Sequence, residues 1–321
     1  MKKCVILDAD TVNPGDLSWD ELSAITDLRV FNVYPSTSLD EVLECIGDAE
    51  LVLLNKIPVN EAFLERLPKL EYIGVLATGY NVVDTAACKK RGVTVTNIPA
   101  YSTQSVAQMA VALLLELALH VGDHSNSVHH GDWANSKSFT YWKYPLFELA
   151  NKRIGIYGFG RTGRATAQAM AGLGLEVVVA DAHVKNKEVP YPIVSMDEFF
   201  SSCDVLSFHC PLTPETTGLV DAKAIEQMKD GVIIINTSRG PVLNEADVAA
   251  ALKSGKIAAC GVDVLSTEPP KHDNPMLSAP NTVITPHIAW APIEARKRLI
   301  DITVNNVKAY LQGEAIHVVN P

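Results

Sequence analysis

Three residues in the second half of the chain have the types and settings that proton and anion chemistry needs. They are Arg239 in Asn236-Thr237-Ser238-Arg239-Gly240, Glu268 in Val264-Leu265-Ser266-Thr267-Glu268-Pro269-Pro270, and His287 in Thr285-Pro286-His287-Ile288. Each follows a short apolar run of the kind that forms a buried strand. Each therefore falls in a loop leaving a strand C-terminus, the edge at which doubly wound sheets bind ligands. An arginine presents a planar fork that matches a carboxylate through two bonds. A histidine exchanges protons near neutral pH, and an adjacent carboxylate favours its charged form and fixes its tautomer. Together they can make a hydride-transfer site. Singly they have plainer readings: Arg239 as a surface ion-pair former, Glu268 as a solvated loop acid, His287 as a satisfied core histidine.

The element that must position such a site runs from 151 to 181. An apolar run over 153–157 predicts a buried strand that leads directly into Gly158-Phe159-Gly160-Arg161-Thr162-Gly163. Alanines and other helix formers follow, Gly172 and Gly174 end the helix, and 175–180 reads as the next strand, closed by Asp181. The three glycines serve a tight turn, close approach of backbone to a pyrophosphate, and close helix–strand packing. The helix N-terminus offers unpaired N–H groups to the phosphates. Asp181 is placed to accept bonds from an adenosine ribose, which predicts NAD(H) over NADP(H), because a carboxylate repels a 2′-phosphate. Lys185 nearby leaves NADP(H) open.

The chain that carries these motifs has 321 residues, 47% hydrophobic and 20% charged, with a formal charge of −10 and a pI near 5.4. This predicts about two globular domains. The acidic balance argues against nucleic acid or an anionic membrane as the main partner. Six scattered cysteines without a CxxC pair, no signal-type N-terminus and no run of transmembrane length predict a cytoplasmic protein with reduced thiols.

Residues 2–95 alternate apolar runs at 3–7, 28–33, 51–54, 72–75 and 93–95 with helical patterns, predicting a small parallel-sheet α/β domain. A long helix is expected from 102 to about 130. Its apolar character is nearly all-round, so it should be buried between domains or covered by a second subunit, and a homodimer is predicted. Further strands are expected at 194, 205–208, 232–235, 260–262 and 283–285, and a last helix at 292–311. That helix should return to the first domain, so the expected division is 1–98 with 290–321 as a discontinuous substrate domain and 99–289 as the nucleotide domain. His120, His124, His129 and His130 include i, i+4 pairs but lack a converging carboxylate or thiol, so no metal is expected. Trp142 reads as packing, or as a ring reaching a neighbouring subunit.

The glycine fingerprint, HCPLTPET at 209–216, NTSRG at 236–240, DVLSTEPP at 263–270 and TPHIAW at 285–290 resemble the D-isomer-specific 2-hydroxyacid dehydrogenase family over nearly the whole chain. Leu76-Ala77-Thr78-Gly79-Tyr80-Asn81 and Trp290 are most similar to its glycerate dehydrogenase and hydroxypyruvate reductase group. The resemblance implies a Rossmann-type doubly wound parallel sheet plus a smaller flavodoxin-like α/β substrate domain. It implies NADH-dependent reduction of a short 2-oxo acid, hydroxypyruvate or glyoxylate, to the D-2-hydroxy acid. His287 would donate the proton, Glu268 would hold it charged, and Arg239 would bind the substrate carboxylate and polarise the carbonyl. The N–H groups of Ala77, Thr78 and Gly79 would complete the carboxylate clamp. Asp263 would hold the nicotinamide carboxamide, and Thr103, Val106, Pro211, Thr216 and Thr237 would line the cofactor cleft. Trp290, where many relatives have a small residue, would narrow the pocket toward short acids. The end of the chain at Pro321 argues against the long phosphoglycerate dehydrogenases, and Glu268 against formate dehydrogenases, which favour glutamine there. The competing readings are a dehydrogenase of another 2-oxo acid and a non-catalytic NAD(H)-sensing scaffold.

Overall fold

The computed structural model describes residues 1–181, 183–184 and 189–321. The chain divides into two compact units, Met1–Ser102 with Ala291–Pro321, and Thr103–Trp290. Each is built on one parallel sheet.

In the first unit, β1 (Lys3–Ile6), β2 (Asp27–Val30), β3 (Leu51–Leu54), β4 (Tyr72–Val75) and β5 (Thr94–Thr96) lie in the order β2-β1-β3-β4-β5. The three central strands are short apolar runs because both faces of a parallel sheet are covered. Val5, Leu7, Val52, Leu54, Phe63, Ile73 and Val75 form one core. Helices start at local capping signals, as at α2 (Leu39–Ile46), where Ser38 and Glu41 form a capping box. The outer edge of β5 is covered by the chain's last residues: Val319 donates its N–H to the Val95 carbonyl, and Asn320 bonds both Val93 and Val95. The long helix α11 (Ile293–Leu311) is tied in by Arg296, which meets both Asp16 oxygens at 2.7 and 2.6 Å.

The second unit has β6 (Arg153–Tyr157), β7 (Glu176–Ala180), β8 (Val205–Phe208), β9 (Val232–Asn236), β10 (Ile257–Val262) and β11 (Thr282–Ile284), in the order β11-β10-β9-β8-β6-β7. Strand order reverses at β6, so a crevice opens at its C-terminal end, where the glycine loop lies. One face of the sheet packs Phe199, Phe208, Met228 and Val248; the other packs Ile154, Met170 and Ile235 under Leu113 and Leu117 of α5 (Thr103–Leu119).

Two expectations need correcting. The helix expected over 102–130 is two helices, α5 and α6 (Val121–His129), bent by 59°. His120 between them takes a left-handed conformation (φ 48°), and the Glu116 carboxylate reaches past it to accept the Gly122 N–H at 3.2 Å. That side chain supplies the acceptor the new helix start needs. The strand expected at 194 is a single bridge between Ile193 and Val179, because Ser195 at once caps α8 (Met196–Ser202).

Candidate active site

The glycine loop leaves β6 and enters α7 (Arg161–Gly172). Gly158 has φ +87°, and a Cβ on Gly163 would stand 2.0 Å from the Gly158 carbonyl oxygen. Both positions exclude side chains, which seats α7 tightly against the strand. A Cβ at Gly160 would meet nothing within 4 Å, so that side of the loop is open. The N–H groups of Arg161, Thr162 and Gly163 are the first-turn donors that a helix leaves unpaired. Phe159 is buried, and its N–H goes to Asp181 at 2.6 Å; the other Asp181 oxygen takes the His183 N–H at 2.8 Å. Asp181 therefore locks the two turns together and keeps lone pairs for a further donor. Lys185 lies outside the described residues.

Around this cradle, Thr103 and Val106 are half-buried at the start of α5. Thr216 is turned into its own loop, donating to the Pro211 carbonyl and accepting the Thr213 N–H, both at 2.8 Å. Thr237 is buried, and its hydroxyl has no partner among the described residues. His209, at the start of the 209–216 stretch, carries no signal of its own in the sequence. Its Nε2 meets the Ser207 hydroxyl at 2.8 Å, its Nδ1 is buried without a partner, and burial pushes its pKa down to about 4.

Arg239, Glu268 and His287 stand on the loops after β9, β10 and β11. The Arg239 turn is closed by Asn236, whose side chain accepts from Ser238 N–H and hydroxyl at 2.9 and 2.8 Å and donates to the Arg239 carbonyl at 2.9 Å. Half-buried Arg239 donates from one guanidinium nitrogen to Ser238 O at 2.7 Å; among the described residues no acceptor meets the others. Next to it, a Cβ on Gly240 would lie 1.9 Å from the Leu265 carbonyl carbon. The arginine turn thus sits directly on the loop that carries Glu268. Glu268 turns back on that loop, accepting the Leu265 N–H at 3.1 Å with Oε1, and meets His287 Nδ1 at 2.6 Å with Oε2. Nδ1–H faces the carboxylate, so Nε2 is the nitrogen left for a reacting atom, and no described residue occupies it.

His287 has φ +53°, a conformation that side-chain-bearing residues adopt at a cost of order 1 kcal/mol. Asp263 holds it there. Buried Asp263 accepts the Ile288 N–H at 2.9 Å, the Ala289 N–H at 2.8 Å and the Thr285 hydroxyl at 2.5 Å. Burial raises its pKa, opposed by these bonds. Three of its roughly four lone-pair positions are occupied by the turn that carries His287.

Ala77, Thr78 and Gly79 belong to the first unit, after β4. The Ala77 and Thr78 carbonyls and the Thr78 hydroxyl are bonded to Ile98 and Asn97 at 2.7 to 3.0 Å. Among the described residues the N–H groups of all three meet no acceptor, so the loop is held by its oxygens and presents donors.

Residues 111–289 match the D-isomer specific 2-hydroxyacid dehydrogenase, NAD binding domain family. The chain belongs to this family. It is 49% identical to a hydroxypyruvate reductase of Blautia hydrogenotrophica over 99% of both chains. It is 38% identical to a glycerate dehydrogenase of Methylorubrum extorquens over 90% of this chain and 91% of that one. A crystal structure of D-lactate dehydrogenase from Aquifex aeolicus with NAD and lactic acid superposes with a TM-score of 0.84 at 27% identity, covering 99% of each chain.

The cofactor of this dehydrogenase is NAD, and the cradle fits it: an open face at Gly160, first-turn donors of α7, spare carboxylate lone pairs on Asp181 and an orphan hydroxyl at Thr237. On α6, His124 serves structure. His124 Nδ1 meets the His120 carbonyl at 2.8 Å, and its Nε2 accepts the Lys143 N–H at 3.1 Å, pinning the following segment. Among the described residues no three His, Cys, Asp or Glu side chains converge as metal ligands.

Proposed function

We propose that this dehydrogenase reduces short 2-oxo acids, hydroxypyruvate or glyoxylate, to their D-2-hydroxy acids with NADH, and catalyses the reverse. The observation that carries the reading is the 2.6 Å contact between His287 Nδ1 and Glu268, which leaves Nε2 free to deliver a proton. NADH, when bound, supplies the hydride. Glu268 stabilises the charged imidazole and fixes its ring, so that His287 gives a proton to the substrate oxygen as it gains charge. Arg239 binds the substrate carboxylate and draws electron density from the carbonyl. The N–H groups of Ala77, Thr78 and Gly79 take the remaining carboxylate lone pairs. Asp263 holds the nicotinamide carboxamide with its remaining lone pair, and Thr103, Val106, Pro211, Thr216 and Thr237 line the cleft. Trp290 limits the length of the substrate.

In this reading residues 1–98 with 290–321 form the substrate domain and 99–289 the nucleotide domain. The protein works as a cytoplasmic homodimer. No single helix among the described residues is long and apolar enough to cross a membrane. An exposed apolar stretch on α6 and its continuation, including Val121, Trp133, Phe139 and Trp142, supports the dimer, and beside it Leu119, Val121, Val128, Trp133 and Leu146 line a groove of about 440 Å³.

The test is NADH oxidation against hydroxypyruvate, glyoxylate, pyruvate and phenylpyruvate, with His287→Ala in parallel. Hydroxypyruvate or glyoxylate should be fastest, and the variant should lose about 10²–10⁴-fold in kcat. Preference for phenylpyruvate would overturn the short-substrate reading. No turnover of any acid by protein that binds NADH would overturn the enzyme reading.

A further inference from the structure

Glu245 opens α10 (Glu245–Ser254), and the proton transfer described above has no need of an acid there. The helix start is already capped by Asn244, whose side chain accepts the Asp247 N–H. An acid in a first turn ordinarily faces water and the helix's own donors. The Glu245 carboxylate instead leaves its helix for the loop that carries Glu268. One oxygen accepts the Ser266 N–H at 2.6 Å; the other accepts the Ser266 hydroxyl at 2.7 Å and the Asn274 amide at 2.8 Å.

These bonds converge on one peptide unit. The Leu265–Ser266 peptide has the Glu268 carboxylate on the N–H before it, the Glu245 carboxylate on its own N–H, and the Gly240 α carbon against its carbonyl carbon. Glu268 can reach His287 at 2.6 Å only while the loop stays folded back on itself. Both side chains of the Glu268–His287 pair are about a third exposed or less, so water competes for the carboxylate whenever the loop loosens. Short charge-assisted bonds to both ends of segment 266–274 oppose that loosening.

We propose that Glu245 is a positioning residue for the proton donor: it holds the Ser266 peptide so that Glu268 engages His287 in one geometry, and so sets the pH range of reduction. The proposal rests on the reading of His287 as the proton donor. Without Glu245, the Ser266 and Asn274 donors turn to water, Glu268 samples solvent, and the charged imidazole loses its partner for part of the time.

The experiment is the pH profile of kcat/KM for 2-oxo acid reduction in the wild type, Glu245→Ala, Glu245→Gln and Ser266→Ala, with Glu268→Ala and His287→Ala alongside. Glu245→Ala should lower kcat about tenfold, a part of what a positioned general acid contributes, and move the alkaline fall of the profile down by about half a unit or more. Glu245→Gln keeps the length and an acceptor and should fall between it and the wild type. Ser266→Ala, which removes one bond and leaves the peptide N–H, should shift the fall in the same direction by less. NADH affinity, read by fluorescence titration, should stay within about twofold, because Glu245 touches no group of the cofactor cradle. A lowered thermal midpoint with an unmoved profile in all three variants would show Glu245 to be structural only and overturn the proposal. If Glu245→Ala does not fold, the Gln and Ser266 variants decide. If His287→Ala keeps the wild-type alkaline fall, the proton-donor reading itself fails; if His287→Ala and Glu268→Ala behave as described while the Glu245 set does not, only the positioning role fails.

Discussion

Replacing Gly240 by alanine tests whether the arginine turn and the glutamate loop act as one rigid unit. An added Cβ would sit 1.9 Å from the Leu265 carbonyl carbon, 2.1 Å from its oxygen and 2.3 Å from the Ser266 nitrogen. All three are backbone atoms, so no flexible side chain can yield. To restore an ordinary contact of 3.4 Å, the two backbones must part by about 1.5 Å. The Leu265–Glu268 bond at 3.1 Å and the Ser266–Glu245 bond at 2.6 Å run through the displaced peptide, so neither survives a movement of that size intact. A misplacement of about 1 Å in a catalytic group costs on the order of 10²-fold, and overpacking of this kind costs about 1–3 kcal/mol of stability. Gly240→Ala should therefore lose about a hundredfold in kcat with a lowered urea midpoint. The control is Gly172→Ala at the end of α7, where a Cβ meets nothing within 4 Å; helix propensity predicts unchanged activity and a gain of about 0.5–1 kcal/mol. Steady-state kinetics and urea titration of both variants settle it. Gly240→Ala with kcat within twofold of the wild type would refute the claim that these loops are locked together.

Two other outcomes follow from single residues. His209 retains some surface exposure as a residue, but its Nδ1 is sealed without a partner and burial lowers its pKa from 6.5 to about 4. Below pH 6.5 the unfolded chain binds a proton there that the folded chain refuses until about pH 4, so stability falls as pH is lowered through this window, by up to about 3 kcal/mol. Urea unfolding at pH 7.5 and 5 should show a smaller loss in His209→Gln; an equal loss assigns the acid sensitivity elsewhere. Asp181→Asn removes the charge that repels a 2′-phosphate while keeping an acceptor for the Phe159 N–H, so kcat/KM with NADPH relative to NADH should rise about tenfold. An unchanged ratio would mean that Asp181 serves the turn alone.

Much of this molecule was legible in the chain before folding was considered. The central strands are runs of apolar residues because parallel sheets are covered on both faces, and the glycine loop announces itself by strand before, helix after and acid beyond. Arg239, Glu268 and His287 were legible as residue types in loops after strands, and the motifs around them carried the family. The helix break at His120 was not, since it depends on where the Glu116 side chain turns once α5 has formed. Neither was the work of Asp263 on the His287 turn, which a reading by cofactor contact alone leaves out.

What local sequence determined are features set by neighbours a few residues away: burial period, caps, turn chemistry and the chemical types at the site. What only the tertiary structure decided are contacts across the sheet. β9 and β10 pair with Asn236 beside Val262, so their loops leave side by side, and Gly240 comes against Leu265. The same pairing brings Glu245, 21 residues earlier, onto Ser266. A carboxylate at a helix start looks the same in any sequence; which donors it meets is fixed by the register of strands that do not contain it.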